Sequence, residues 1–588
     1  MAAFPFAISA VAVILCSVLL PPSSCSPICA ARTQDHVRTA FHFQPAKNWQ
    51  NGPVYFNGMY HLFYQYNPHG ALWDVGNLSW GHTVSGDLVN WADLGNALDP
   101  TAPFDANGCA SGSVTVLPDG NPVILYSGID ASRRQVQNIA FPKNPRDPLL
   151  REWTKPSYNP VVPVPADVSP DNFRDPTTAW LGRDGLWRFA VSAVAGGVGS
   201  TLVYRSADFL RWERRAAPLH ASRDAVMAEC PDLFPVAAPG VAEGLDASAA
   251  AARHVLKVSM PDTLQDYYAV GRYDEETDTF TPDEDGGGGD YRRWRRIDHG
   301  HVYASKTFFD ARRSRRVLWA WVNESDSEAD DVARGWSGLQ SFPRALWLDA
   351  GGRQLVQWPV EEIETLRRKR VAMADVEVEA GGLREVEGVE SSQADVDVVF
   401  EITSLERAEG LDPSRLMDPD ALCAEKGASV RGGVGPFGLL VMASGDDLRE
   451  HTAVFFRVFR LLREYTVLMC TDLTRSSTKT GVYKPIHGGF VNVDIEKDKS
   501  ISLRTLIDRS IVESFGGEGR TCMTARVYPE HVARGSSHIH VLNNGSDAVK
   551  VPKLEAWELA TASVNAIAAE EGDNLAASGD MCKNTAYY

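Results

Sequence analysis

Basic charge is scarce in this chain. Its 588 residues carry 58 Lys and Arg against 76 Asp and Glu, a formal net charge of -18. That balance opposes contact with nucleic acid or an anionic membrane, so neither is expected as a partner. Long apolar runs are missing too: beyond residues 1–20 no stretch is long and apolar enough to span a bilayer. Cysteine is sparse, nine in all, and Cys16, Cys25 and Cys29 fall in or beside the apolar leader. The others are too few for a disulfide scaffold and lack metal-ligand spacing, so neither metal nor cofactor is expected. No nucleotide signature appears. The one glycine run, residues 286–289, sits between Asp285 and Asp290, whose charge would repel phosphate, and reads as a flexible loop.

What is present begins with the leader. Residues 1–20 are almost wholly apolar and are followed by Pro21-Pro22-Ser23-Ser24-Cys25-Ser26, which predicts a signal peptide over 1–25, although its first residues lack Lys and Arg. The sequons at Asn77, Asn323 and Asn544 agree with secretion and are candidate glycosylation sites. The length predicts two domains, and 44% hydrophobic with 23% charged residues is a globular composition.

From 39 to 350 the chain alternates short β-rich runs with Gly, Pro, Asn and Asp. Examples are Val123-Ile124-Leu125-Tyr126 and Val317-Leu318-Trp319-Ala320-Trp321. This spacing predicts an all-β sandwich, barrel or propeller, and so many strands over such a length favour the propeller. Residues 359–370, PVEEIETLRRKR, open with acid and close with base, matching a helix dipole, and are expected as a linker helix within 351–370. Residues 371–560 return to alternating or apolar runs that suit two packed antiparallel sheets. The Ala-rich tail, 561–588, is expected to be loosely ordered.

Three motifs carry chemistry. Residues 42–68 read HFQPAKNWQNGPVYFNGMYHLFYQYNP, and downstream stand Arg174-Asp175-Pro176 and Glu229-Cys230-Pro231-Asp232. In this order they resemble the plant acid invertases and fructan exohydrolases, the β-fructosidases of glycoside hydrolase family 32. The resemblance extends to about Leu559. It implies a five-bladed β-propeller followed by a β-sandwich, and a single sandwich disulfide, Cys423 to Cys470. It also implies retaining hydrolysis of terminal β-D-fructofuranosides, in which one carboxylate attacks the anomeric carbon and another protonates the leaving oxygen. By the same mapping Glu229 is the acid/base and Asp175 the stabiliser that binds sugar hydroxyls, with Arg174 holding carboxylates beside it. Asn51, Gln65, Trp73, Trp80, Ser111 and Arg174 itself are the substrate-pocket candidates. Amides suit vicinal hydroxyls, and indoles offer apolar faces to a furanose, although burial in the core suits each Trp equally well.

The departures are as informative. Where the family has W-x-N-D-P-N-G-P, with the nucleophilic Asp, this chain has Trp49-Gln50-Asn51-Gly52-Pro53: three residues are gone, the Asp among them. Asn51 is an amide and cannot attack as a carboxylate, and neither Asp35 nor Asp74 matches the position. Because a strand's side chains alternate, an odd deletion also reverses facing unless a bulge or loop absorbs it. Ala228 and Ala110 stand where relatives often carry Trp, which predicts a wider pocket mouth. In Ser259-Met260-Pro261-Asp262-Thr263-Leu264, Pro261 and Leu264 replace the acidic and basic pair of invertases, which leaves fructan exohydrolysis open. Glu229-Cys230-Pro231 resembles the cell-wall branch, so the expected location is the apoplast. The expected partners are sucrose or short fructans and, by resemblance, an invertase-inhibitor protein. A non-catalytic relative that binds sugar or such an inhibitor is the competing reading.

Overall fold

The computed structural model describes residues 37–45, 51–73, 78–223, 225, 227–236, 253–283, 289–444, 447–531, 537–564 and 566–567. The leader, Asn77, residues 46–50 and 286–288 of the glycine run lie outside them. Five antiparallel sheets follow one another along the chain, and their first long strands are β1 (Asn51–Phe56), β3 (Cys109–Val116), β4 (Val168–Arg174), β5 (Glu229–Val236) and β6 (Val302–Asp310). β2 (Met59–Tyr66) is the partner of β1 in the first sheet. β1 packs against both β3 and β6, which closes the ring of a five-bladed propeller. Each sheet alternates its side chains between two faces, and each face meets the next blade. The apolar clusters accordingly lie between blades: Phe63, Trp80, Ile124 and Tyr126 between the first and second, and Val255, Tyr268, Leu318 and Leu346 between the fourth and fifth.

Beyond the propeller, a six-stranded and a seven-stranded sheet enclose a core that includes Val396, Phe400, Phe437, Phe456, Leu503 and Met523. This is the expected sandwich, and its Cys423–Cys470 disulfide is formed. Among the described residues no helix is long and apolar enough to cross a membrane.

The linker helix is a correction. Only Glu361–Leu366 coils, as a 3-10 turn that Val360 leaves without a side-chain cap. Arg367–Val378 is instead an edge strand, β7, paired with β8 (Val549–Leu559). The charges that suggested a helix dipole serve cross-strand pairs: Arg367 bonds Asp395 at 2.8 Å, and Arg370 bonds Glu555. Tertiary pairing overrides the local helical preference. The head of the tail is also more ordered than expected. The Trp91 amide donates to Ser563 O at 2.7 Å, Ala562 donates to Ala40 O at 2.9 Å, and Ala566–Ile567 pairs with the first blade.

The segment leading to the first blade is clamped to the sandwich. Asp508 accepts the amides of Ala40, Phe41 and His42 at 2.7, 2.9 and 2.9 Å, and His42 Nδ1 lies 2.9 Å from its Oδ2. Burial alone would lower the His42 pKa, but Asp508 and Glu513 outweigh it and raise it to about 8. A histidine whose folded pKa exceeds its unfolded value stabilises fully below pH 6.5, and that contribution disappears as pH rises through 8. The shift corresponds to about 2 kcal/mol. Denaturant titrations from pH 6 to 9 are expected to show this loss in the unaltered protein and a flatter profile in His42→Asn. Parallel profiles would remove His42 from the account.

Candidate active site

The candidate residues meet in a cavity of about 480 Å³ lined by Gln65, Trp73, Ser111, Arg174, Asp175, Glu229 and Tyr303, among others. Backbone irregularities aim them there. In β3, two residues, Ala110 and Ser111, oppose the single Ser127; in β5, Cys230 and Pro231 oppose Val258; in β6, Ala304 and Ser305 oppose Ala320. Each is a one-residue bulge, which bends a strand and redirects a side chain. β4 achieves the same by ending: Asp175 follows it at φ +67°, and Cys230 (+45°) and Ala304 (+51°) share this left-handed conformation. Non-glycine residues there carry strain of order 1–3 kcal/mol each, a feature that concentrates at functional sites. Gly112 makes the β3 bulge possible, because a Cβ at that position would stand 2.2 Å from Leu125 O.

Hydrogen bonds fix the carboxylates. Asp175 accepts the Cys230 amide on Oδ2 at 3.0 Å, and its own amide donates to Ser127 Oγ at 3.0 Å. Ser127 in turn donates to Gln137 Oε1 at 2.9 Å, and Gln137 donates to Phe173 O at 2.8 Å. Glu229 is held on both oxygens, by the Arg174 guanidinium on Oε1 and the Tyr303 hydroxyl on Oε2. Arg174 is steadied by Gln135 Oε1 at 3.2 Å and Asp171 O at 2.9 Å. Its burial opposes the charge, yet Asp175 and Glu229 outweigh burial and hold its pKa above the ordinary value. Burial and then the Glu229 charge raise the Tyr303 hydroxyl far above its usual range, so it stays a neutral donor or acceptor. Arg174 can only donate, whereas Tyr303 can turn to accept when Glu229 carries a proton. Two buried lysines brace the scaffold from beneath: Lys257 Nζ donates to Cys230 O at 2.8 Å, and Lys306 Nζ to Pro176 O at 3.5 Å.

Cys230 is the one thiol on the cavity wall, and burial followed by the Asp175 charge pushes it well above the ordinary range. It is therefore not a reactive thiolate. Among the described residues the one carboxylate trio close enough to suggest a cation is Glu324, Asp326 and Asp331. It is already neutralised: Arg526 lies 2.8 Å from Glu324, and Arg334 pairs with both Asp326 and Asp331.

Gln65, Trp73, Ser111, Arg174, Asp175 and Glu229 thus share the cavity, and Gln65 Nε2 donates to Ser111 Oγ at 2.6 Å. Trp73 is 48% exposed, at the rim. Trp80 is not on the wall. It is buried between the first two blades, and its Nε1 donates to Ala110 O at 3.0 Å, supporting the β3 bulge from behind. Asn51 heads β1, and its side chain lies outside the described residues. From Asn51 to Phe56 the β1–β2 register runs without a shift, so the shortening relative to the family is not absorbed within β1. Ala110 lines the wall, but Ala228 is fully buried and takes no part in it. Tyr303, Trp321, Gln135 and Ser337 were not anticipated. Tyr303 sits in an ordinary β run, and only its bulge turns it inward. Neither Asn323 nor Asn544 is fully exposed, and the Asn544 amide donates to Ala428 O at 3.2 Å.

Tyr303→Phe leaves one Glu229 oxygen without its donor, and a bond to a charged group contributes about 1.5–3 kcal/mol. In a form of the chain able to turn over, it is expected to lower kcat/KM roughly 10- to 100-fold and to shift the alkaline limb of the pH profile, on which the proton donor is lost. An unchanged profile would reduce Tyr303 to packing.

Comparison with known proteins agrees across both domains. Residues 42–359 match the glycosyl hydrolases family 32 N-terminal domain, and residues 362–558 match the family 32 C-terminal domain. The chain is 77% identical over 580 residues to beta-fructofuranosidase, insoluble isoenzyme 6, of Oryza sativa subsp. japonica, covering 96% of this chain and 97% of that one. It is 64% identical over 548 residues to fructan 6-exohydrolase of Triticum aestivum, covering 90% and 91%. The crystal structure of fructan 1-exohydrolase IIa from Cichorium intybus superposes with a TM-score of 0.86 at 46% identity, covering 90% and 99%. The chain therefore belongs to glycoside hydrolase family 32.

Proposed function

We propose that this chain binds terminal β-D-fructofuranosides, sucrose or short fructans, in the cavity between β3, β5 and β6. Glu229 is the proton donor to the leaving oxygen, and Asp175 is the acceptor that holds sugar hydroxyls and stabilises the oxocarbenium-like transition state. Gln65, Trp73, Ser111 and Arg174 are substrate contacts, and Arg174 and Tyr303 also position Glu229. The observation that carries this reading is the convergence of Asp175, Arg174, Glu229 and Tyr303 in one cavity. The family chemistry also needs an attacking carboxylate on the opposite face of the sugar, and the sequence has no acid at that place. The chain thus keeps the binding and proton-donating half of a retaining glycosidase and lacks the attacking half. Titration calorimetry with sucrose and 1-kestose is expected to show saturable binding that Arg174→Ala weakens. No heat with either sugar would refute the reading.

Sucrose comes first and short fructans second, since the chain is 77% identical to a beta-fructofuranosidase and 64% identical to a fructan 6-exohydrolase. The fructan alternative stays open because Pro261 and Leu264 cannot supply the charged pair of invertases, Ala110 lines the wall where relatives often carry Trp, and the relatives include fructan exohydrolases, one related enzyme having been crystallised with 1-kestose. Secretion to the apoplast is part of this reading, supported by the apolar leader and by relatives named insoluble isoenzymes. Glycans at Asn77, Asn323 and Asn544 and an inhibitor-protein partner belong to the same proposal. A domain boundary within 360–366 belongs to the proposal too, supported by the 3-10 turn that separates the strand Leu355–Pro359 from β7.

A further inference from the structure

From His36 to Trp73 the sequence contains no Asp or Glu, and this interval holds the whole of β1 and β2. Among the described residues, Asp175 and Glu229 are the carboxylates of the cavity wall, and both are engaged. Asp175 is tied to the Glu229 segment, its Oδ2 accepting the amide of Cys230, the residue after Glu229, at 3.0 Å. A displacement needs the attacker on the face of the sugar opposite the proton donor. In the same cavity, the Gln65 amide and Ser111 hydroxyl, joined at 2.6 Å, are groups whose remaining N–H and O–H suit a small anion.

Resting on the function proposed above, we propose a further activity: anion-dependent fructosyl transfer, in which a small anionic nucleophile from solvent does the work of the missing carboxylate. With azide, nitrogen attacks C2 of the fructosyl unit and the C2–O bond to the leaving sugar breaks. The leaving oxygen takes the proton of Glu229, which solvent later replaces. The product is fructosyl azide with its configuration inverted, because attack comes from the face opposite the leaving group. With formate the same displacement gives a fructosyl ester, which water hydrolyses to fructose and formate, so the net reaction is hydrolysis with formate regenerated. Neither route involves oxidation or reduction.

The test uses the unaltered protein with sucrose or 1-kestose in mildly acid buffer. Sodium formate or sodium azide is compared with sodium chloride at equal ionic strength, and sugar binding is measured by calorimetry in parallel. The expected result is a saturable rise in leaving-sugar release of at least about tenfold, small because a diffusing anion forgoes most of the advantage of a tethered group. Mass spectrometry is expected to find the azide adduct, and Glu229→Gln to abolish the rise. Sugar binding with no rise would overturn this inference and leave the proposed function standing. Absence of sugar binding would instead overturn the function itself. Brisk hydrolysis in chloride alone would overturn the inference by another route, since the chain would then supply its own nucleophile.

Discussion

Inserting Asp-Pro-Asn after Asn51 is expected to raise sucrose and fructan hydrolysis roughly 10⁴- to 10⁶-fold, the scale on which the loss of one member of a catalytic set is felt. At about 1.4 kcal/mol per factor of ten, this amounts to about 5–8 kcal/mol of transition-state stabilisation. Everything else the reaction needs is fixed in place: Glu229 is held by Arg174 and Tyr303, and Asp175 by the Cys230 amide and Ser127. The insertion should also be tolerated. Pairing of Gly52 to Phe56 with Phe63 to Met59 is regular, and the added residues precede it. An Asn-Pro-Asn insertion, with the same length but no carboxylate, separates the two contributions. It should remain silent. Equal activity from both insertions would mean that chain length, rather than the acid, limits turnover.

The second large effect concerns stability. Asp298 is fully buried where the propeller meets the sandwich, and it accepts four bonds: from Arg344 at 2.9 Å, the Thr524 amide at 2.9 Å, the Thr524 hydroxyl at 2.8 Å and the Gly300 amide at 2.7 Å. Burial pushes its pKa up, but Arg344 and these donors outweigh burial and hold it below the usual carboxylate range. Arg344 is itself fully buried, and its other acid, Glu513, lies 3.5 Å away. Asp298→Ala would strand a buried guanidinium and two amides. Breaking a buried pair in this way costs about 3–5 kcal/mol. The two backbones are closely packed here, since a Cβ on Gly300 would meet Thr524 O at 1.9 Å. Denaturant midpoints should therefore fall sharply in Asp298→Ala and recover in part in Asp298→Asn, which keeps an acceptor. A change below about 1 kcal/mol would show that the seam contributes little, since ordinary surface substitutions stay within about half that.

Much of the molecule was legible because its signals are local. Short β runs with turn residues between them specify sheets, and the order of the Arg174-Asp175 and Glu229-Cys230 motifs identified the acids of the cavity. The cysteine pair at 423 and 470 followed from resemblance and is bonded. What the sequence concealed depends on pairing between distant segments. Arg367 to Arg370 look like a helix C-terminus until Asp395 and Glu555 are brought beside them from 28 and 185 residues away. Trp80 looks like a sugar platform, but its neighbours across the blade interface claim it for the core. Tyr303 is indistinguishable in sequence from other strand tyrosines, because a one-residue bulge, set by register with β-strand Arg315–Val322, decides which way it faces. The three-residue shortening before β1 is the opposite case: it is plain in the sequence, and the regular β1–β2 register carries no trace of it.

The central claim is that the cavity keeps its grip on fructosides while lacking the carboxylate that attacks them. The direct measurement is to titrate the unaltered protein with 1-kestose and follow heat and fructose release in the same sample. The account predicts saturable binding, weakened by Arg174→Ala, with release at least 10⁴-fold slower than in the Asp-Pro-Asn form. Release at a rate comparable to that form would contradict it and would place an effective nucleophile elsewhere in the chain.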